Sequence, residues 1–261
     1  MKAHCLASSS HGNCYVLEFD IDGVPTRIMV ECGIPITDIF KKLNNIQIEL
    51  ASIDACLITH AHSDHCKAAK DLNKYMIPCY MSKETKNLLG FGEVLDELKP
   101  TAVAPGIKVM AFNVEHDIEG SVGFIIKTKY ECVIFVNDHK RWTCNLKKIK
   151  PNYVFIECNY DHKVVYAQVT DLKKAIRDTS LSADDYLKAK AKLSQHERNL
   201  NAHCSLHGTL VGLKKLNLTQ CHTIFLMHLS DRYANEYRMK NEVQNQTQIL
   251  TYACGKDGGI K

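Results

Sequence analysis

The sequence predicts an α/β fold, and three observations support this prediction. Short apolar runs rich in β-branched and aromatic residues recur along the chain, for example CVIFV, YVFIE and TIFLM, and such runs are typical of strands buried on both faces. Segments with apolar residues at helical spacing alternate with several of these runs. The 261 residues are 45% apolar, which is sufficient for a large hydrophobic core. Because no Pro/Gly/Ser-rich linker divides them, we expect a single domain over residues 1–261.

Eight strands and four helices are predicted. The strand pattern covers residues 14–19, 27–31, 55–59, 77–81, 122–128, 132–136, 153–157 and 223–227. The helical pattern covers residues 63–75, 183–193, 205–216 and 232–243. In the first of these helices Cys66, Ala69 and Leu72 recur at helical spacing. Ser205 is placed to cap the third helix, and the polar stretch 178–201 is expected to project from the core.

Composition excludes several classes of protein. The formal net charge of +4 comes from 33 Lys and Arg against 29 Asp and Glu, which is far from the basic excess of a protein that coats nucleic acid. The twelve cysteines are scattered without a CxxC pair, so we expect reduced core residues rather than a disulfide framework. The sequence shows no apolar leader and no run of about 20 apolar residues, so we expect a soluble cytoplasmic protein without membrane contact.

The segment THAHSDH concentrates potential metal ligands at the end of a predicted strand. His60 and His62 are two residues apart, so strand geometry points both side chains the same way. Ser63 is placed to cap a helix whose first turn carries Asp64 and His65. This turn therefore presents two pairs of ligands from opposite sides, as a site for two metal ions requires.

Three further candidate ligands each come after an apolar run. His116 follows VMAFNV, Asp138 follows CVIFVN and His228 follows TIFLM. The ends of strands at one edge of the sheet are where α/β proteins collect their ligands. A single histidine at a strand end is more often structural, so the prediction of a dinuclear site depends on the whole combination.

Four motifs in this order, THAHSDH, EHDIEGSVGFII, VIFVND and FLMHLS, resemble the metal-ligand motifs of the metallo-β-lactamase superfamily. The opening LASSSHGNCYVLE further resembles its small bacterial YycJ-like branch, which contains 5′-to-3′ DNA exonucleases. The resemblance implies a four-layer αββα sandwich with the site at the edge where its two sheets meet. It also implies a first metal held by His60, His62 and His116, a second held by Asp64, His65 and His228, and Asp138 as the bridge.

The resemblance also implies the cofactors. We expect two divalent metal ions, with Zn²⁺ favoured by the histidine-rich ligand set and Mn²⁺ or Fe²⁺ as alternatives. Water that bridges two such ions becomes a hydroxide nucleophile near neutral pH, while the ions neutralise charge on the attacked group. Asp64 is a predicted catalytic residue as well as a ligand, because its carboxylate can accept a proton.

Residues beyond the ligands are predicted to contact the substrate. His203 lies where relatives of tRNase Z keep a histidine that contacts the scissile phosphate or protonates the leaving oxygen, so it is a second predicted catalytic residue. Ser205 opens the helix behind it, and the N-terminus of a helix favours an anion. Ser10 and Asn13, in a turn that the resemblance places near the site, complete the predicted substrate-binding set.

Three functional hypotheses follow. The leading one is a metal-dependent phosphodiesterase, with DNA as the expected partner in the manner of an exonuclease. The second is hydrolysis of a small thioester or lactone by the same ligand set. The third is a metal-binding protein of the same fold without catalytic activity, against which the complete ligand set argues.

Overall fold

The computed structural model describes residues 1–178 and 180–261, which contain fourteen strands and eight α-helices. The strands are β1 (Lys2–Ser9), β2 (Gly12–Ile21), β3 (Val24–Cys32), β4 (Ala55–Leu57), β5 (Cys79–Met81), β6 (Glu93–Val94), β7 (Thr101–Ala104), β8 (Ile107–Glu115), β9 (Val122–Lys127), β10 (Cys132–Val136), β11 (Arg141–Trp142), β12 (Tyr153–Glu157), β13 (Thr223–Met227) and β14 (Leu250–Ala253). The helices are α1 (Ile36–Asn45), α2 (Ser63–Cys66), α3 (Ala69–Lys74), α4 (Lys83–Leu89), α5 (His162–Ile176), α6 (Ala183–Ala202), α7 (Leu206–Lys214) and α8 (Glu236–Thr247).

The described strands form two sheets. The first has the order β1-β2-β3-β4-β5-β6, and the second has the order β11-β8-β9-β10-β12-β13-β14, with β7 also paired to β8. Strands β3 to β6 run parallel, and so do β10, β12, β13 and β14. The carboxyl ends of parallel strands meet at one edge of a sheet, and β4, β10 and β13 lead directly into the segments that carry predicted metal ligands.

A central hydrophobic core lies between the two sheets. Tyr15 of the first sheet packs edge-on against Phe135 of the second, with ring centroids 5.3 Å apart. Phe155 stacks between Phe135 and Phe225 on neighbouring strands of the second sheet. Burying one such ring stabilises the folded state by roughly 1.5–3 kcal/mol. The two sheets therefore form the inner pair of layers.

Helices cover the outer face of each sheet. Val16 faces outward from the first sheet and packs in one cluster with Leu43 of α1 and Leu72 of α3. The outer face of the second sheet is covered by α7 and α8, which contribute Leu210 and Val243 to a third apolar cluster. Three apolar clusters thus separate four layers in the order helix, sheet, sheet, helix.

The predicted segments agree best with the structure where they are apolar. All eight predicted strands are present, and β10, β12 and β13 have the predicted bounds. The helix predicted over 63–75 is instead two short helices, α2 and α3, and α6 ends at residue 202 rather than 193. Helix α8 begins later than predicted because the side chain of Asn235 caps it, accepting a hydrogen bond from the Arg238 backbone N–H at 3.0 Å. The six strands β1, β6, β7, β8, β11 and β14 and the helices α1, α4 and α5 were not predicted.

The cysteines agree with the expectation of reduced, mostly buried residues. All twelve cysteines fall within the described residues as free thiols, and ten of them are buried. Among the helices of the described residues, none combines the length and the apolar character needed to cross a bilayer.

Gly33→Ala is expected to destabilise the fold strongly. Gly33 follows β3, and a Cβ at this position would lie 1.6 Å from the backbone oxygen of Asp64, in the turn that carries the predicted ligands. Such overpacking against a rigid backbone is expected to cost about 3 kcal/mol of unfolding free energy or more. Denaturant titration would measure this loss. Gly23→Ala is the matched control, because its φ of +89° adds backbone strain of roughly 1–2 kcal/mol but its Cβ would meet nothing within 4 Å. Equal losses in the two variants would contradict the steric explanation.

Candidate metal centre

Three ring nitrogens converge beyond the carboxyl end of β4. Nδ1 of His62 lies 3.1 Å from Nε2 of His60 and 3.4 Å from Nε2 of His116. Zn–N bonds of about 2.0–2.1 Å in a tetrahedral site place two ligand atoms about 3.3 Å apart. The three nitrogens therefore have the spacing of three ligands on a single zinc ion, and the structure brings together the residues expected to hold the first metal.

Hydrogen bonds determine which ring nitrogen is free to bind a metal. Thr59 donates its hydroxyl to Glu31 Oε1 at 2.5 Å, and its oxygen therefore accepts from His60 Nδ1 at 2.9 Å. Nδ1 of His116 donates to the backbone oxygen of Ala202 at 2.8 Å. Both rings are thus assigned the tautomer whose Nε2 keeps its lone pair. These are the nitrogens that converge on the first metal position.

A second group of ligands lies beside the first. Ligand atoms of Asp64, His65, Asp138 and His228 are all within 4.8 Å of one another. Oδ2 of Asp138 is 3.3 Å from Nε2 of His65 and 3.9 Å from Nε2 of His116, which belongs to the first group. The carboxylate of Asp138 therefore faces both groups, as a bridging ligand requires.

The electrostatics of His60 and Asp138 fit the binding of cations. Burial, with a contribution from His65, holds the pKa of His60 well below its usual value, so its ring is neutral, as a metal ligand must be. Burial alone would raise the pKa of Asp138, but His228 and His65 outweigh it and hold that pKa well below its usual range. Two atoms of this group, Asp138 Oδ1 and His228 Nε2, are buried. Neither has a hydrogen-bond partner among the described residues, 1–178 and 180–261. A bound metal ion would satisfy both atoms.

Glu31 supports this centre and was not predicted as a site residue. Its buried carboxylate accepts hydrogen bonds from the hydroxyl and the backbone N–H of Thr59, and it lies 3.1 Å from Nδ1 of His65. Its φ of +62° lies in the left-handed region, which a non-glycine residue adopts only when its surroundings hold it there. Glu31 therefore orients ligands of both groups, through Thr59 to His60 and directly to His65.

Glu31→Gln is expected to weaken metal binding by about 10- to 100-fold, the usual effect of removing a group that orients metal-binding histidines. Competition between the protein and a chromophoric chelator for Zn²⁺ would measure the change. Glu49→Gln, at an exposed position away from the centre, is the matched control. Equal zinc affinity in both variants would contradict the role given to Glu31.

Glu157 is a second carboxylate that sequence reasoning missed. It ends β12, and its Oε1 lies 2.7 Å from Nδ1 of His203 and 3.2 Å from Nδ1 of His228. Its Oε2 accepts hydrogen bonds from the backbone N–H groups of His139 and Cys204. Burial disfavours the charged form, but His203 and His228 together lower the pKa of Glu157 to about 2. Glu157 is therefore a buried carboxylate that links His203 to the second ligand group.

His203 lies among carboxylates that raise its pKa. Burial would lower its pKa, but the carboxylates of Glu157 and Asp138 outweigh burial and raise the pKa of His203 to about 9. Nδ1 is occupied by Glu157, while the ring keeps 19% of its surface exposed and lines a cavity. At neutral pH the side chain can therefore donate a proton from Nε2 to a molecule in that cavity.

The cavity beside the second ligand group has a volume of about 370 Å³. Two of the predicted substrate-binding residues, Ser10 and His203, line it together with His228 and Arg232. This volume is at the lower end of the range of roughly 300–1,000 Å³ that small-molecule pockets occupy. The cavity therefore suits a small molecule or one end of a longer chain.

The other two predicted substrate-binding residues lie outside the lining of this cavity. Asn13 has no exposed surface, and its amide donates to the backbone oxygen of Ser9 at 3.0 Å and lies 3.3 Å from Nε2 of His65. The hydroxyl of Ser205 caps α7 by accepting from the Gly208 backbone N–H at 3.1 Å. Both placements favour supporting roles, and direct substrate contact by either residue stays a prediction.

Comparison with known sequences gives a family match. The family model described as "Anti-Pycsar protein Apyc1" matches residues 9–252. Exodeoxyribonuclease WalJ of Streptococcus pneumoniae serotype 2 is 31% identical over 127 residues, which are 44% of this chain and 46% of that protein. The matched region thus spans about half the length of this curated relative. The identity to WalJ agrees with the resemblance to the YycJ-like branch.

Comparison with solved structures gives the fold. The metallo-β-lactamase fold protein YhfI from Bacillus subtilis has a TM-score of 0.65 and 12% identity, covering 99% of this chain and 98% of its own. Zn²⁺-bound PqqB from Methylobacterium extorquens has a TM-score of 0.66 and 13% identity, covering 100% and 99%. These likenesses confirm the predicted α/β fold of the metallo-β-lactamase type.

Proposed function

This chain belongs to the family of the anti-Pycsar protein Apyc1, and we propose that it is a metal-dependent phosphodiesterase that acts on nucleotides. The metallo-β-lactamase fold and the histidine and aspartate clusters are those of a metal-dependent hydrolase. The observation that carries the proposal of a phosphodiester substrate is the placement of His203, whose Nδ1 lies 2.7 Å from Glu157 Oε1 and whose ring lines the cavity beside Asp138. The exodeoxyribonuclease activity in the name of the relative WalJ also supports a phosphodiester as the scissile bond.

The two ligand groups would hold two divalent ions, with Zn²⁺ favoured, and such ions lower the pKa of bound water and neutralise charge on a phosphoryl group. The protein side chains supply the proton transfers. Asp64 is ionised, because the neighbouring His65 outweighs its partial burial and lowers the pKa of its carboxyl. Asp64 is therefore able to take the proton of the attacking water. As the water oxygen bonds to phosphorus and the P–O bond to the leaving group breaks, His203 donates its proton to the departing oxygen.

The need for this acid distinguishes phosphodiesters from thioesters. A sugar hydroxyl leaves as a strongly basic alkoxide unless it is protonated, so a positioned acid accelerates its departure. A thiol has a pKa of about 8.5 and leaves readily as the thiolate without such help. The Glu157–His203 pair therefore favours a phosphodiester over a thioester as the substrate.

The size of the cavity favours a substrate with one nucleotide next to the scissile phosphate. Within about 370 Å³ there is room for one nucleoside but not for a paired duplex. Two substrates meet this condition. One is the terminal nucleotide of a single DNA strand, and the other is a cyclic mononucleotide, whose two ester bonds belong to a single nucleoside. Arg232 lines the cavity and supplies positive charge for either phosphate.

The test is to incubate the purified protein, loaded with Zn²⁺ or Mn²⁺, with four substrates. They are 5′-phosphorylated single-stranded DNA, a cyclic mononucleotide, bis(p-nitrophenyl) phosphate and an acyl thioester. We expect the protein to cleave the phosphodiesters, and we expect excess chelator to abolish this cleavage. The thioester should not be turned over. A protein that holds two metals per chain and cleaves the thioester but no phosphodiester would show that the proposal is wrong. The ratio of the first two rates decides between an exonuclease and a small-nucleotide phosphodiesterase.

A further inference from the structure

Helix α6 contributes two amide side chains to the wall of the cavity. Gln195 and Asn199 are four residues apart, so they lie on one face of the helix about 5–6 Å from each other. Both line the same cavity as His203 and His228, with Gln195 exposed and Asn199 half-buried, and within the part of the chain that the structure describes neither side-chain amide is engaged in a hydrogen bond to another residue. Two free carboxamides therefore face the space that a substrate bound at the metal centre would fill.

We propose that Gln195 and Asn199 bind the edge of the nucleobase of the substrate, a proposal that rests on the function proposed above. A carboxamide offers a donor and an acceptor side by side, which is the pattern that base edges present. It can also present the two groups in either order after rotation by 180°. The pair is therefore expected to hold any of the four bases rather than to select one.

The position of α6 relative to the metal centre is fixed by direct contacts. The backbone oxygen of Ala202, at the end of α6, accepts the hydrogen bond from His116 of the first ligand group at 2.8 Å. In the middle of the helix, the buried His196 packs on Tyr233, with ring centroids 5.0 Å apart. Tyr233 also lines the cavity, where its ring can contact the face of a base. The helix that carries the two amides is thus held against the predicted metal centre.

The first part of the experiment separates base binding from catalysis. Gln195→Ala, Asn199→Ala and the double variant are assayed on the nucleotide that the wild type cleaves best and on bis(p-nitrophenyl) phosphate, which has no base. Each hydrogen bond lost is expected to raise KM for the nucleotide about threefold to tenfold, and the double variant about tenfold or more. The kcat/KM for bis(p-nitrophenyl) phosphate is expected to stay within about twofold. Ser194→Ala, on the same helix but outside the cavity lining, is the control.

A second variant tests the recognition of base edges directly. An ionised glutamate side chain accepts hydrogen bonds but does not donate them, so Gln195→Glu is expected to lower KM for adenine, cytosine and guanine nucleotides, whose edges carry amino groups, relative to KM for thymine or uracil nucleotides, whose edges carry none. The proposal is wrong if the alanine variants lower kcat/KM equally for the nucleotide and for bis(p-nitrophenyl) phosphate, or if they change kcat/KM for neither substrate. It is also wrong if Gln195→Glu leaves the order of KM among the four nucleotides unchanged. A wild-type protein that cleaves no phosphodiester would instead reject the proposed function itself.

Discussion

Asp138→Ala is expected to lower kcat for phosphodiester cleavage by about 10³-fold or more, which corresponds to about 4 kcal/mol of transition-state stabilisation. Oδ2 of Asp138 lies 3.3 Å from the His65 ring and 3.9 Å from the His116 ring, so its loss removes the side chain that faces both ligand groups. His60 and His62 would still hold part of the first position. We therefore expect the variant to bind fewer than two metal ions per chain.

Two measurements together test this result. Elemental analysis after gel filtration gives the metals per chain, and the rate on bis(p-nitrophenyl) phosphate gives kcat. Asp138→Asn preserves the shape of the side chain but not its charge, and it should resemble the alanine variant if the bridging carboxylate matters. The variant and the wild type are also compared by thermal unfolding, both without metal. Similar unfolding curves would show that the variant retains the fold. Full activity with two metals in either variant would contradict the bridging role.

The convergence of the predicted ligands could be expected from the sequence because His60, Asp138 and His228 each follow an apolar strand of recognisable pattern. β4, β10 and β13 are buried throughout, and His60, Asp138 and His228 come within three residues of their ends. The edge of the second sheet where Asp138 and His228 meet follows from the parallel pairing of β10, β12 and β13, whereas His60 follows a strand of the first sheet and meets them only because the two sheets pack together. The strand pattern therefore places each residue at a strand end, and the packing of the two sheets brings these ends together.

Glu31 and Glu157 could not be predicted in the same way. Each is a single carboxylate at the end of an apolar run, and this pattern equally fits a residue that faces solvent. Only the three-dimensional structure shows that Glu31 contacts Thr59 and His65, and that Glu157 contacts His203. Both carboxylates are also fully buried, which the preference of glutamate for the surface argues against.

The end of α6 was missed for a different reason. Among the described residues of this helix, only His196 and Ala202 are buried. Its second half therefore lacks the regularly spaced apolar residues from which a helix is predicted. Its carboxyl end is determined instead by contacts outside the helix. The Ala202 backbone oxygen accepts a hydrogen bond from His116, and His203 then leaves the helix with extended backbone to reach Glu157.

His203→Ala is expected to lower kcat on a nucleotide by about 10²- to 10⁴-fold, the range typical for loss of a general acid. The effect on bis(p-nitrophenyl) phosphate should be much smaller, because its leaving group is a weakly basic phenolate that needs no proton. A purely structural role for His203 would lower both rates together. The comparison of the two substrates therefore distinguishes proton donation from support of the metal ligands, and His207→Ala, an exposed histidine on α7, is the control.

Glu157→Gln tests the same acid through its pKa. The carboxylate of Glu157 raises the pKa of His203, so its removal lowers that pKa, and His203 loses its proton at a lower pH. Because the protonated ring is the active form, the alkaline fall of kcat on a nucleotide should move to lower pH in the variant. Its metal content should stay closer to the wild type than that of Asp138→Ala, since Glu157 lies behind the ligands His228 and Asp138. A shift of the alkaline limb to higher pH, or no shift, would mean that His203 is not the proton donor.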